Sequence, residues 1–397
     1  MLQVLQVSNL NEIVKLLREI GVDPYGINIM APKGLLYLVK VDGLPSFAAN
    51  ILKQEMLSLG ADAAVAKGAL TGKIKKTSCI LIGNLSQFLR LNEKLKLQPF
   101  GLNGLAEQLK EVLDNYNKIN FTLELGRYKL NFNKEVAIMG ILNITPDSFS
   151  GDGLYGCSLD RIREIAEQMS AEGADCIDIG GESSRPGARA ISAKEEIARV
   201  LPVIKMLTKK IKIPLSVDTY KPEVAKVALD NGVSMINDIT GLSNEKMRRI
   251  IAKFKAAAVI MHMQGRPQTM QVNPHYQDVC AEVLDYLEQR VNQAVEAGIP
   301  RSRMMIDPGI GFGKTVEHNL ILLKKLKMFY SLGLPILVGC SRKSFIGKLL
   351  NVEVNQRVLG TLSASLVAAQ NGAHMLRVHD VKELKQGLKI LQAIRTV

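Results

Sequence analysis

Eight short apolar runs recur through the last two thirds of this 397-residue chain, and each ends in polar or glycine-rich residues. They are VAIMGILN (136–143), CIDIGGE (176–182), PLSVDTY (214–220), SMINDIT (234–240), AAVIMHM (257–263), MMIDPGI (304–310), PILVGCS (335–341) and HMLRVHD (374–380). Nearly continuous apolar segments of this length suit parallel strands buried on both faces. Amphipathic helical stretches lie between them. In SLDRIREIAEQMSAEGA, Leu159, Ile162, Ile165, Ala166 and Met169 share one face, Ser158 offers an N-cap and Gly173 a stop. Eight such repeats in ~260 residues match a (β/α)8 TIM barrel in count and length. An open doubly wound sheet, the other reading, seldom carries eight parallel strands in one regular series. Ahead of the first strand, FTLELGRYKLNF (121–132) alternates, breaks phase at Gly126 and alternates again. That pattern reads as a β-hairpin, placed to cover the lower end of the barrel.

The chain divides near residue 117. Before it, GLLYLVKVDG and SCILIGNL read as strands, and NEIVKLLREIGV, FAANILKQEMLSLG and NGLAEQLKEVLDNY as helices. The expected organisation is a small α+β domain over 1–117 and a barrel over 118–397. The first domain carries no catalytic motif. It reads either as an added packing or oligomer surface, or as a second ligand site or regulatory element.

Composition removes several function classes. The chain is 47% hydrophobic, enough for a sizeable core. No apolar run reaches the roughly 18 to 20 residues of a membrane span. MLQVLQVSNLNEI lacks the basic start and apolar segment of a secretory signal. The five cysteines are scattered, with no CxxC, which argues against a zinc site or a disulfide framework and for a cytoplasmic home. The net charge is +13, but the densest basic cluster, Lys73, Lys75 and Lys76, has no interleaved aromatics and the chain has no Trp. Nucleic acid is therefore not an expected partner.

A barrel brings the C-terminal ends of its strands to one face. That face would collect Asn143 and Asp147, Glu182 to Arg185, Asp218 and Thr219, Asn237 and Asp238, His262 and Gln264, DPGIGFGKT (307–315), SRKS (341–344), and Arg377, His379 and Asp380. Taken singly, each has a plainer role: Asp218 and Asp307 as helix N-caps, His262 as a satisfied core histidine, Met261 and Met263 as wall packing. GIGFGK falls short of the full phosphate-loop spacing. Taken together, eight polar strand ends point to a pocket. Asp218, Asn237 and Asp307 suit a flat heterocycle rich in N–H groups. Arg377, His379 and Ser184 suit a phosphate or diphosphate. Asn143, as one hard oxygen ligand, suits Mg²⁺ that takes its other ligands from water and substrate phosphate.

MGILNITPDSFSGDG, DIGGESSRPGA, SVDTYKPEVA, INDIT, MHMQGRPQTMQ, DPGIGFGKT, LVGCSRKSFIG and LRVHDV resemble, in order, the signature blocks of the dihydropteroate synthase family. The resemblance covers residues from about 119 to 397 and implies a folate-synthesis transferase, a target of sulfonamides. Such an enzyme joins 4-aminobenzoate to 6-hydroxymethyl-7,8-dihydropterin diphosphate with Mg²⁺, as a cytoplasmic homodimer. It implies Asp218, Asn237, Asp307 and Lys343 for the pterin, and Asn143 for Mg²⁺. Ser184, Arg377 and His379, with Asn143, are implied for the diphosphate, and Pro186, Phe312 and Ser344 for the aminobenzoate. Asp218, Asp307, Lys343 and Arg377 form the implied catalytic set. Ser184 where the family often has Thr, SGDG in place of the commoner order, and Arg266 depart from the pattern without removing a ligand. Pterin-binding methyltransferases share this barrel but have no need of SRKS with Arg377 and His379 to hold a diphosphate.

Overall fold

The computed structural model describes residues 2–133, 135–146, 153–183 and 189–396, which form two compact units, 1–118 and 119–397. In the first unit β1 (Leu36–Pro45), β2 (Asp62–Val65) and β3 (Lys76–Asn84) make an antiparallel sheet in the order β1-β3-β2. Tyr37, Cys79, Leu81 and Ala63 on one face meet Leu52, Met56, Phe88, Leu91 and Leu109 of helices Ser46–Ser58, Leu85–Leu95 and Leu102–Tyr116. Strand β2 and helix Leu85–Leu95 are additions to the elements expected from sequence. That helix opens on a capping box in which Asn84 and Gln87 exchange bonds.

In the second unit a hairpin, β4 (Thr122–Leu125) and β5 (Tyr128–Asn131), turns at Gly126, whose φ is +63°. Eight parallel strands follow: β6 (Ala137–Asn143), β7 (Cys176–Gly180), β8 (Leu215–Asp218), β9 (Met235–Asp238), β10 (Ala257–Met261), β11 (Met304–Asp307), β12 (Leu337–Val338) and β13 (Met375–Val378). They pair in the order β11-β10-β9-β8-β7-β6-β13-β12, and a bridge from Ile306 to Ile336 joins the two ends. The ring is a (β/α)8 barrel.

Period-two alternation sorts the strand side chains. Ile138, Ile177, Val217, Ile236, Ile260, Ile306, Val338 and Leu376 face outward and pack on the surrounding helices in one large core. The lower inward positions, Met139, Cys176, Met235, Val259, Met305, Leu337 and Met375, meet Phe121, Leu123 and Leu125 of the hairpin segment. The lower barrel is thus filled by side chains, and the polar inward residues are left to the upper rim. Helix Leu159–Glu172 starts at Ser158, which accepts from Arg161 N–H, and stops at Gly173 with φ +105°. Its expected apolar face needs one correction: Leu159, at the first helical position, is 45% exposed, while Ile162 and Ala166 are buried. Among the described residues no helix is long and apolar enough to cross a membrane.

If the hairpin is an integral part of the barrel core, Leu123→Ala should cost about 2–5 kcal/mol in urea unfolding, as for other buried leucines. A loss of no more than ~0.5 kcal/mol, the size expected at an exposed position, would contradict that packing.

Candidate active site

The upper inward positions place Asp178 on β7, Asp218 on β8, Asn237 on β9, Asp307 on β11 and Arg377 on β13. Arg377 sits among them. Its Nε donates to Asp178 Oδ2 at 2.6 Å and its Nη2 to Asp218 Oδ2 at 3.0 Å. Asn237 Nδ2 donates to the same Asp178 oxygen at 3.0 Å. The Asp178 side chain is 0% exposed, against 20% for Arg377 and 19% for Asp218. A carboxylate so buried is tolerable only when paired with a cation and hydrogen-bonded, and Arg377 and Asn237 meet both needs. Asp178 Oδ1 and Asn237 Oδ1 are buried acceptors that no described donor satisfies.

A second group gathers on the β11 loop. Asp307 Oδ1 accepts from Gly309 N–H at 2.7 Å. Beyond it the chain runs against residues 262–264 with no room for side chains. A Cβ on Gly309 (φ +69°) would lie 1.9 Å from His262 O, and one on Gly313 (φ +60°) 2.5 Å from Gln264 O. Lys314 is 3% exposed and threads back beneath the loop. Its Nζ donates to Gly309 O at 3.0 Å and Phe312 O at 2.9 Å, and lies 2.9 Å from His262 Nδ1. The glycine-rich loop is therefore tied down by its own lysine rather than arranged to cradle phosphate. Lys343 holds the other side: its Nζ donates to Ile310 O and lies 4.7 Å from the Phe312 ring centroid. Phe312 packs with Tyr220 on a buried apolar wall of Ile239, Met261, Met263 and Met270.

The third group is at the end of β13. Ser341 Oγ accepts from His379 N–H at 3.2 Å and lies 2.8 Å from His379 Nδ1. Asn143 Nδ2 is 3.4 Å from His379 Nε2. Arg342, in left-handed backbone with φ +53°, pairs with both oxygens of Asp380 at 3.1 and 2.5 Å. Glu182 is engaged with Tyr220 and Lys221. Ser344 is exposed at the start of helix Ser344–Leu350. Asp147, Ser184, Arg185 and Pro186 lie outside the described residues.

The plainer roles can now be decided. Lys221 and Thr315, not Asp218 and Asp307, occupy the N-cap positions of the helices that follow β8 and β11. His262 does take the core role: it is 5% exposed, and burial beside Lys314 pulls it down to about 2.

Burial sets the charge states of the rest. It pushes Asp218 up to about 7, with Arg377 pulling down and Asp178 pushing back. Asp307 is also raised by burial, opposed by Lys343. Burial draws Lys343 down to about 8, Asp307 resisting. His379 falls to about 3 through burial and then the cations Arg342 and Arg377, so its imidazole is neutral.

Asp178, Lys314 and Ser341 do not stand out singly in the sequence. Asp178 had a signal: it is an acid in the middle of an apolar run, CIDIGG, where a buried charge needs a partner. Lys314 and Ser341 lay inside quoted motifs, but their partners are distant in sequence.

The Asp218 shift has a consequence for stability. Between its ordinary value of 3.8 and about 7, the folded chain holds a proton that the unfolded chain releases. Stability from this group is therefore full at low pH and declines as pH rises through that window. The unfolding midpoint of Asp218→Asn, which lacks this titration, should gain on wild type between about pH 4 and about pH 7. A constant gap across that range would contradict the shift.

The model of the family "Pterin binding enzyme" matches residues 139–379. The chain is 44% identical to the dihydropteroate synthase of Escherichia coli K12 over 256 residues, which is 64% of this chain and 90% of that protein. A Yersinia pestis dihydropteroate synthase, solved in complex with a sulfonamide drug, superposes with a TM-score of 0.68 at 41% identity, covering 70% of this chain and 100% of that one. Residues of the first unit are included in a longer match. A Halobacterium salinarum protein, named a probable bifunctional folylpolyglutamate synthase/dihydropteroate synthase, is 39% identical over 391 residues; the match spans 98% of this chain and 47% of that protein. A barrel with these strand ends, matched by the family model over most of its length and by whole relatives at this identity, belongs to the pterin-binding enzymes, among their dihydropteroate synthases.

Proposed function

We propose that the upper rim of the barrel binds 6-hydroxymethyl-7,8-dihydropterin diphosphate and 4-aminobenzoate and joins them, with loss of diphosphate, as 7,8-dihydropteroate. The observation that carries this reading is the set of acceptors around Arg377. Asn237 Oδ1 is buried without a donor, Asp218 ends the adjacent strand β8, and Asp307 ends β11, two strands beyond β9. An aminopyrimidine ring edge offers the N–H groups such acceptors lack. The methionine wall with Phe312 suits its flat faces.

The charges then have assigned tasks. Breaking the pterin C–O bond leaves positive charge on the exocyclic methylene and sends the electron pair to diphosphate. Asp307 and Asp218 stabilise the cationic side, while Arg377 and His379 face the leaving group. His379, being neutral, serves as a hydrogen-bond donor or acceptor rather than as a cation. Lys343 holds Ile310 and Phe312 in place on the pterin side. Aminobenzoate attacks through its neutral amine, forming the C–N bond, and its proton passes to solvent, so no dedicated general base is needed. The displacement is SN1-like, driven by position and electrostatics.

Magnesium fits the residues present in one way. Among the described residues no cluster of three acidic, imidazole or thiol groups could hold a metal. Asn143, on the rim beside His379, would give one amide oxygen, with diphosphate and water supplying the other ligands. Bound there, the ion would neutralise charge on the leaving diphosphate. A cytoplasmic homodimer is the setting this reading carries with it.

Purified protein with Mg²⁺ and pterin diphosphate should transfer label from 4-aminobenzoate into a pteroate product, and a folded preparation that transfers none would refute the assignment. Asp307→Asn should fold, yet lose about 1.5–3 kcal/mol of pterin diphosphate binding and slow turnover, because an amide replaces a charge-assisted acceptor. Titration and steady-state kinetics at wild-type values in that variant would remove Asp307 from the site.

A further inference from the structure

The two carboxylates that share Arg377 are not equivalent. Asp178 is 0% exposed and its Oδ2 takes two donors, Arg377 Nε at 2.6 Å and Asn237 Nδ2 at 3.0 Å. Asp218 is 19% exposed, and its Oδ2 takes Arg377 Nη2 at 3.0 Å. Moving Arg377 off Asp178 would strand a fully buried charge, whereas moving it off Asp218 would leave a carboxylate open to the pocket. The points of attachment differ as well. Nε lies within the side chain, so its bond to Asp178 confines the guanidinium to tilting about that contact. The Nη nitrogens, at the free end, travel furthest in such a tilt.

We propose that Asp178 is a positioning residue, the fixed end of the Arg377 bridge, and that Asp218 is its releasable end, so that a pterin settling on Asp218 frees a guanidinium nitrogen for the diphosphate. This rests on the function proposed above. Pterin N–H groups replace the Nη2 donor on Asp218, and that carboxylate stays satisfied through the exchange. The released nitrogen has a destination nearby. His379 is two residues along from Arg377 on the same face of the strand, and it stands beside Asn143, at the end of the site assigned to diphosphate. Occupation of the pterin half and tight holding of the leaving group are thereby linked. Diphosphate alone meets an arginine already engaged by two carboxylates.

The test is a binding cycle on the full chain, without turnover. Inorganic diphosphate with Mg²⁺ is titrated by calorimetry, with and without saturating 6-hydroxymethylpterin lacking its diphosphate. In wild type the pterin should tighten diphosphate by at least about fivefold, the lower end of measurable coupling between sites. In Asp178→Asn both ligands should still bind, but the ratio should fall to one. A residue with a merely structural role would weaken both affinities and leave the ratio. Arg377→Lys gives an independent check, since a single ammonium cannot span the two carboxylates, and its ratio should also be one. Independent binding in wild type, or a ratio kept in either variant, overturns the inference alone. Failure of the pterin to bind wild type at all overturns the functional reading and this inference with it.

Discussion

Arg377 between Asp178 and Asp218 is the interaction on which the upper barrel depends. Three side chains from three strands meet there, and Asn237 brings in a fourth. A fully buried Asp178 would be untenable without the guanidinium, and the guanidinium, once buried, needs its carboxylates. Replacing the group by apolar side chains of similar size could leave the barrel as stable or more so. Its place in the fold is explained by what it presents: hydrogen-bond acceptors and a cation side by side at the strand ends.

The barrel makes this affordable through alternation. Each strand turns every second residue outward into the helix-covered core, and each has only two or three inward positions. The lower ones are filled by Met139, Met235, Met305 and Met375 against the hairpin's Leu123 and Leu125. With Asp178 one inward step below the end of its strand at Gly180, the polar residues are thereby left to the inward positions above that layer and to the loops beyond. There, two clamps hold the β11 loop: Lys314 from beneath, through Gly309 O and Phe312 O, and Lys343 from the side, through Ile310 O. Phe312 inherits its position from those clamps, while Asp307 is fixed by the pairing of β11 with β10. Glycine at 309 and 313 is what allows the loop to lie on residues 262–264 at all.

Much of this was legible in the residues because it depends on local rules. Strand ends show as polar stops to apolar runs, Gly126 marks a phase break, and Ser158 and Gly173 bound a helix by capping chemistry. The parts that were not legible depend on distant partners. Asp178 looks like an odd acid in a strand until Arg377, 199 residues away, is placed beside it. Lys314 looks like the lysine of a phosphate loop until its ammonium is seen spent on loop carbonyls. Leu159 matched the helical period yet lies exposed, because periodicity specifies a direction and not the neighbours that would cover it. In the first unit, helix Leu85–Leu95 follows directly on a strand, so the change of period had no loop to announce it.

The central claim is that this site works by charge, with buried carboxylates favouring a positive pterin before the amine attacks. Positional isotope exchange tests it most directly. Pterin diphosphate carrying heavy oxygen in the C–O–P bridge is incubated with the enzyme and Mg²⁺ in the absence of 4-aminobenzoate, then recovered and its label located. If the C–O bond ionises reversibly in the closed site, label should migrate from the bridge to the non-bridging oxygens of the same phosphorus. Label that stays in the bridge, on an enzyme that turns over normally once aminobenzoate is added, would mean that bond breaking waits for the nucleophile and would contradict the account.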